Sequence, residues 1–139
     1  DFIQLHKYPL VKQYDPIRNR WIQHEDPVAY LQEHIVRGDR SDGIPNILTC
    51  DDAIVTGKPQ KKMSREKIAS LASMDPQEFT NYIRLRNWKR NAELIDFSHI
   101  PQPIVDRILT FYHKCRPQPS IDLNYFGQHG ITELIDEFA

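Results

Sequence analysis

Two carboxylates stand three residues apart in the run Gly38-Asp39-Arg40-Ser41-Asp42-Gly43-Ile44-Pro45, directly after a helical pattern. Asp39 and Asp42 in a glycine-bounded loop can face one hard cation. The backbone N–H groups of such a loop can face a phosphate. Metal beside phosphate is the chemistry of nucleic-acid hydrolysis or binding. A second group of chemical interest is basic: Lys58, Lys61, Lys62, Arg65 and Lys67 span a polar loop and the start of a helix. Positive charge at a helix N-terminus opposes the macrodipole, and an anionic partner would account for it.

The charge distribution supports an anion-binding centre. The 139 residues carry 18 Lys and Arg against 19 Asp and Glu, a net charge of −1. Residues 1–55 hold 6 basic and 9 acidic groups, a balance of −3. Residues 56–91 hold 9 and 3, or +6, and residues 92–139 hold 3 and 7, or −4. Half of all the cations therefore sit in the middle quarter, so a local basic patch can bind phosphates in a chain that is neutral overall. Arg84, Arg86, Lys89 and Arg90 extend that patch, although cations near a helix end also complement the dipole. Trp88 is expected to pack rather than to stack on bases.

Several classes are excluded or unsupported. No apolar run approaches the roughly 18 residues of a membrane span. Cys50 and Cys115 lack metal-ligand or redox spacing and read as free thiols of a reducing compartment. The six histidines show no ligand spacing, and no Ser–His–Asp or Cys–His arrangement can be built from them.

The elements that must position the loop follow from local signals. Residues 1–5 read as a strand, followed by a hairpin of Val11–Tyr14 and Arg20–Gln23 around Asp15-Pro16-Ile17-Arg18-Asn19. Asp26-Pro27 starts a helix with Val28, Leu31 and Ile35 on one face, and Gly38 stops it. Short helical turns are expected over 46–55 and a loop over 56–62. A helix is expected from Ser64 to about Met74, and another from Asp75 to about Arg90, opened by a capping-box-like Asp75…Glu78. Ile104, Ile108, Phe111, Tyr112 and Cys115 form the strongest helical stripe, ended by Pro117 and Pro119. Residues 120–139 suggest two short helices.

The loop, together with Asp1-Phe2-Ile3-Gln4-Leu5 upstream and Asn91-Ala92-Glu93-Leu94-Ile95-Asp96-Phe97-Ser98-His99-Ile100-Pro101 downstream, resembles the 5′ nuclease (flap endonuclease) superfamily. The similarity is to its phage branch, the ribonuclease H and 5′-to-3′ exonuclease of T4-type bacteriophages. The superfamily signature reads roughly Gly-Asp-x-Ser-Asp-Asn-Ile-Pro-Gly. Here Gly43 replaces the usual Asn, Asn46 the usual Gly, and no Gly-x-Gly follows.

The resemblance implies a mainly α fold, with a helical C-terminal domain carrying a helix–three-turn–helix-like DNA-binding element. Residues 1–25 would be a β-hairpin remnant of a parent α/β catalytic domain, and 26–139 the helical domain. It implies that Asp1, Asp39 and Asp42 belong to a catalytic Mg²⁺ centre with two metals in the intact enzyme, incomplete here, with a possible K⁺ at the turn. Gly38, Arg40, Ser41, Gly43, Lys58, Lys61, Lys62, Arg65, Lys67 and Arg84 would then meet DNA.

The parent would remove RNA primers and flaps during replication, acting on duplex, flap or RNA–DNA hybrid as a monomer in the host cytoplasm. This piece alone is expected to be inactive. Two rivals stand beside that reading. One is a docking module, in which 93–139 binds a replication protein such as single-stranded DNA-binding protein. The other is a DNA-binding domain unrelated to nucleases.

Overall fold

The computed structural model describes residues 2–115. The expected metal ligand Asp1, the proline stop after Cys115, the two helices expected in 120–139 and most of the expected docking segment 93–139 lie outside them. The chain divides into two compact units, 1–100 and 101–139, and each is described by itself.

The first unit is helical with one small hairpin, as the sequence implied. Strands β1 (Gln13–Asp15) and β2 (Arg20–Ile22) pair antiparallel, with Gln13 opposite Ile22, Tyr14 opposite Trp21 and Asp15 opposite Arg20. The Tyr14 and Trp21 rings meet at 5.1 Å, the cross-strand pairing that stabilises such ribbons. Asp15 closes the turn by accepting from the N–H groups of Ile17 and Arg18, each at 3.1 Å.

Residues 2–5 do not form the expected strand: Phe2–Lys7 is a 3-10 helix, and among the described residues the sheet is the two-stranded hairpin alone. The segment is anchored by Gln4 instead. Its buried amide donates to Ile95 O and accepts from Phe97 N, both at 3.0 Å.

Helix α1 (Pro27–Arg37) begins where Asp26 accepts from Val28 N and Ala29 N. Its inward face is Leu31, His34, Ile35 and Val36, whereas Val28 is largely exposed. Residues 38–63 then run through successive turns rather than helix. Helix α2 (Arg65–Ala72) follows, capped by Ser64, which accepts from Lys67 N.

The single helix expected from Asp75 to Arg90 is two elements. Asp75 caps only a 3-10 turn, Pro76–Glu78. Phe79 then turns into extended backbone and buries its ring. Asn81 caps a second start, and α3 runs over Tyr82–Ile95. A 3-10 turn, Phe97–His99, ends the unit.

Two apolar clusters meet across α1. Ile35, Ile44, Ala92 and Ile95 form one, and Val36, Ile47, Leu71 and Phe79 the other. Trp88 packs against both, as expected. At about 1.5–3 kcal/mol per buried large aliphatic side chain, these residues fix α1, α2 and α3 around the 38–63 segment.

In the second unit, α4 (Gln102–Lys114) carries the expected stripe, with Ile104, Ile108, Phe111 and Tyr112 exposed. Among the described residues no helix is long and apolar enough to cross a membrane.

Candidate metal and phosphate-binding loop

Gly38 sets the loop's exit from α1. Its φ is +71°, and a Cβ there would stand 2.4 Å from Ile44 O and 2.7 Å from the Pro45 carbonyl. No L side chain fits both the backbone and the space. The loop closes through Ile44 N donating to Asp39 O at 2.7 Å, a bridge that buries Ile44 and Pro45.

The two aspartates are brought into one loop but hold different positions. Asp39 turns inward. Its Oδ1 accepts from Ser41 N at 2.9 Å, from Ser41 Oγ at 2.5 Å and from Asp42 N at 3.4 Å. Its Oδ2 lies 3.0 Å from His34 Nε2. The Ser41 hydroxyl first, then His34 and the loop N–H groups, overcome a burial penalty and hold the carboxyl down to about 2. Burial pushes the His34 imidazole below its ordinary value, against the pull of Asp39. At neutral pH a neutral His34 therefore donates Nε2–H to the Asp39 carboxylate. Asp42, by contrast, is exposed and its carboxylate has no partner among the described residues.

The turns beyond the loop are held by polar side chains. Asn46 accepts from Leu48 N and Thr49 Oγ1 and donates to Lys61 O at 2.9 Å. Asn46 N donates to Gln60 Oε1 at 2.8 Å, and Lys61 N to Thr49 Oγ1 at 3.0 Å. From α3, Asn87 donates to Ile47 O and Thr49 O, and Asn91 to Ile35 O and Pro45 O. These buried amides satisfy carbonyls that have no helix or strand to bond to. The substitution of Asn46 for the usual glycine thus makes it a side-chain staple. Sequence reasoning missed His34, Asn46, Thr49, Asn87 and Asn91. The available signal was Asn87 and Asn91 recurring at i, i+4 where a helix would ordinarily bury apolar groups.

The basic residues divide in the same way. Arg40, Lys61, Lys62, Arg65 and Lys67 are exposed and bear no ion pair among the described residues. Lys58 is paired with Asp52 at 2.7 Å, with both groups more than half exposed. Arg86 and Arg90 converge on Asp51, and Arg90 also donates to Pro45 O at 3.0 Å. They do not cap a helix end, since α3 continues to Ile95. Arg84 lies over the Phe79 ring, 5.8 Å from its centroid. Gly43 and Gly57 both have positive φ, and a Cβ at either would meet nothing within 4 Å, so their backbones are open to approach.

Among the described residues no three His, Cys, Asp or Glu side chains cluster as a closed metal site. The loop offers two carboxylates, of which one is committed to the turn. That suits a partial contribution to a strongly hydrated ion such as Mg²⁺, which keeps much of its water, and not an all-protein cage.

A ribonuclease H of Enterobacteria phage T4 is 29% identical over an alignment of 149 residues. That alignment takes in 99% of this chain and 49% of the relative, so the chain spans about half the relative's length. The family described as T4 RNase H, C terminal, matches residues 28–139, which include the Asp39–Asp42 loop, the basic segment, α1 from its second residue and the whole of α2, α3 and α4. The chain therefore belongs to the family of the C-terminal portion of T4 RNase H.

Proposed function

We propose that this chain is the nucleic-acid-gripping portion of a Mg²⁺-dependent 5′ nuclease that hydrolyses RNA in RNA–DNA hybrids and DNA flaps, clearing primers in replication. The observation that carries the reading is the exposed Asp42 carboxylate in a glycine-cornered loop, in a chain whose exposed cations include five without an ion pair among the described residues. Anionic nucleic acid explains such cations better than folding does, since none of Arg40, Lys61, Lys62, Arg65 or Lys67 is engaged by a carboxylate among the described residues. Asp42 would face the metal centre, most simply through water, and Asp39 would shape the turn that aims it. Bound Mg²⁺ supplies activation of water and offsets charge on the scissile phosphate. The loop's own work is to orient the phosphodiester beside that centre. Family membership supports the nuclease class, the T4 relative's name supports RNA as a substrate, and flap cleavage and primer removal rest on the sequence resemblance.

The test is a titration with a fluorescent 5′-flap duplex at several salt concentrations, with single-stranded DNA as comparison. Tighter duplex binding is expected, with a log–log salt slope of about −4 if four or five cations reach phosphates. Equal or absent binding at low salt overturns it. A second reading is favoured by one feature: α4 exposes Ile104, Ile108, Phe111 and Tyr112 on one helix. On that reading the second unit docks a replication protein such as single-stranded DNA-binding protein. The charge reversal Asp106→Lys would then weaken partner binding and spare DNA.

A further inference from the structure

Arg40, from the Asp39–Asp42 loop, and Gly57, Lys58, Pro59 and Gln60, from a turn seventeen and more residues later in sequence, line one cleft of about 460 Å³ together with Ile54. Nothing in the linear spacing joins these segments. The staples from Asn46 to Gln60 and Lys61 do. The cleft brings together two cations and a left-handed glycine, whose missing Cβ leaves the backbone open. Arg40 carries no ion pair among the described residues, and its guanidinium presents the planar fork that matches phosphate oxygens. Among the described residues Lys58 is held by Asp52 alone, across an exposed contact that is weak and readily exchanged.

From this juxtaposition we infer that the Arg40–Gly57–Lys58 cleft is a dedicated phosphate site, taking one phosphate group of a nucleic acid, with Asp52 as an internal competitor for Lys58. The inference rests on the nucleic-acid reading above and makes it specific. Of the exposed cations, Arg40 and Lys58 grip one phosphate together, whereas Lys61, Lys62, Arg65 and Lys67 supply diffuse attraction. Asp52 keeps Lys58 oriented when the cleft is empty and yields it to a phosphate oxygen when one enters. The occupant is either an internal phosphodiester or a 5′-terminal phosphate, which share this chemistry.

The experiment measures binding of a fluorescent duplex, with and without a 5′-terminal phosphate, to the chain and to Arg40→Gln, Lys58→Gln and Asp52→Asn. A parallel titration follows backbone amide shifts of the ¹⁵N-labelled chain with inorganic phosphate. Arg40→Gln and Lys58→Gln should each weaken duplex binding about tenfold and reduce the salt slope by about one. Asp52→Asn should tighten binding, by up to about fivefold, a change of sign that misfolding does not produce. If removing the 5′-phosphate weakens the parent chain but not Arg40→Gln, the occupant is the terminal phosphate; if it changes neither, the occupant is an internal diester.

Normal duplex binding with all three variants unchanged in affinity and slope overturns the cleft and leaves the broader reading standing. Absence of duplex binding overturns the broader reading, and the amide titration then decides the cleft. Phosphate-induced shifts at Arg40, Gly57 and Lys58 that vanish in Arg40→Gln sustain it; no shifts there overturn it.

Discussion

His34 Nε2 stands 3.0 Å from Asp39 Oδ2, a contact from the last turn of α1 into the loop that follows it. The imidazole is buried, with its ring edge-on to Tyr30 at 5.8 Å, so it cannot swing away from the carboxylate. The opposite carboxylate oxygen is thereby presented to Ser41 and Asp42 N–H. One contact thus links helix packing to the loop's shape and to the outward aim of Asp42.

Removing that contact should cost stability. His34→Ala deletes a hydrogen bond to a charged group and leaves a cavity, so a loss of about 1.5–3 kcal/mol is expected. His34→Gln retains an N–H donor and should recover part of it. Urea unfolding of both variants checks this, and equal losses would show that Asp39 does not need the donor.

The same pair sets an acid limit. The Asp39 carboxyl is depressed, so its contribution is fully present above the unfolded value of 3.8 and is lost as pH falls towards about 2. The His34 pKa is also depressed, so the unfolded chain binds its proton more readily. Its share is therefore present above the ordinary 6.5 and is lost as pH falls through the lower folded value. Stability should decline in two stages on acidification. In His34→Gln the upper stage should vanish, which a series of melting curves between pH 7 and 2 would reveal.

The two aspartates should respond differently to neutralisation. Asp39→Asn weakens charge-assisted hydrogen bonds inside the turn and should lower stability by about 1–3 kcal/mol. Asp42→Asn, at an exposed carboxylate without a partner among the described residues, should change stability by no more than about 0.5 kcal/mol. It should instead abolish Mg²⁺-induced amide shifts in residues 40–44. A Mg²⁺ titration unaffected by Asp42→Asn would overturn the proposal that this residue serves a metal ion.

Gly38→Ala should be among the most damaging single changes. It combines a positive φ with a 2.4 Å approach to Ile44 O, a backbone atom that cannot rotate aside. The positive φ alone costs about 1–2 kcal/mol, and the clash adds to it. Gly43→Ala shares the φ but meets nothing within 4 Å, so it should cost only the conformational part. The difference between their denaturation midpoints isolates the close approach.

Asn87→Ala should destabilise the segment by about 1–3 kcal/mol, because the carbonyls of Ile47 and Thr49 lose their donor in the interior. Asp51→Asn should leave stability within about 1 kcal/mol, since its pairs with Arg86 and Arg90 are partly exposed. Released from Asp51, Arg86 should add to duplex affinity. Binding unchanged by Asp51→Asn would assign both arginines to structure alone.

What the sequence by itself determined was local. Asp26-Pro27, Ser64 and the Asp15–Asn19 turn each specify their element through a cap or a turn residue, and the structure has all three. The loop itself was also legible as a turn that leaves α1 at Gly38, because a glycine stop and polar turn residues need no distant partner to be read. Partners remote in sequence were not legible. The 3-10 form of Phe2–Lys7 depends on Ile95 and Phe97, and the break before α3 depends on Phe79 finding the cluster around Val36 and Ile47. Nor could spacing tell Asp39 from Asp42. That distinction needed His34 to be buried in place by tertiary packing, because a carboxylate's role depends on which donors surround it and not on its position in the chain.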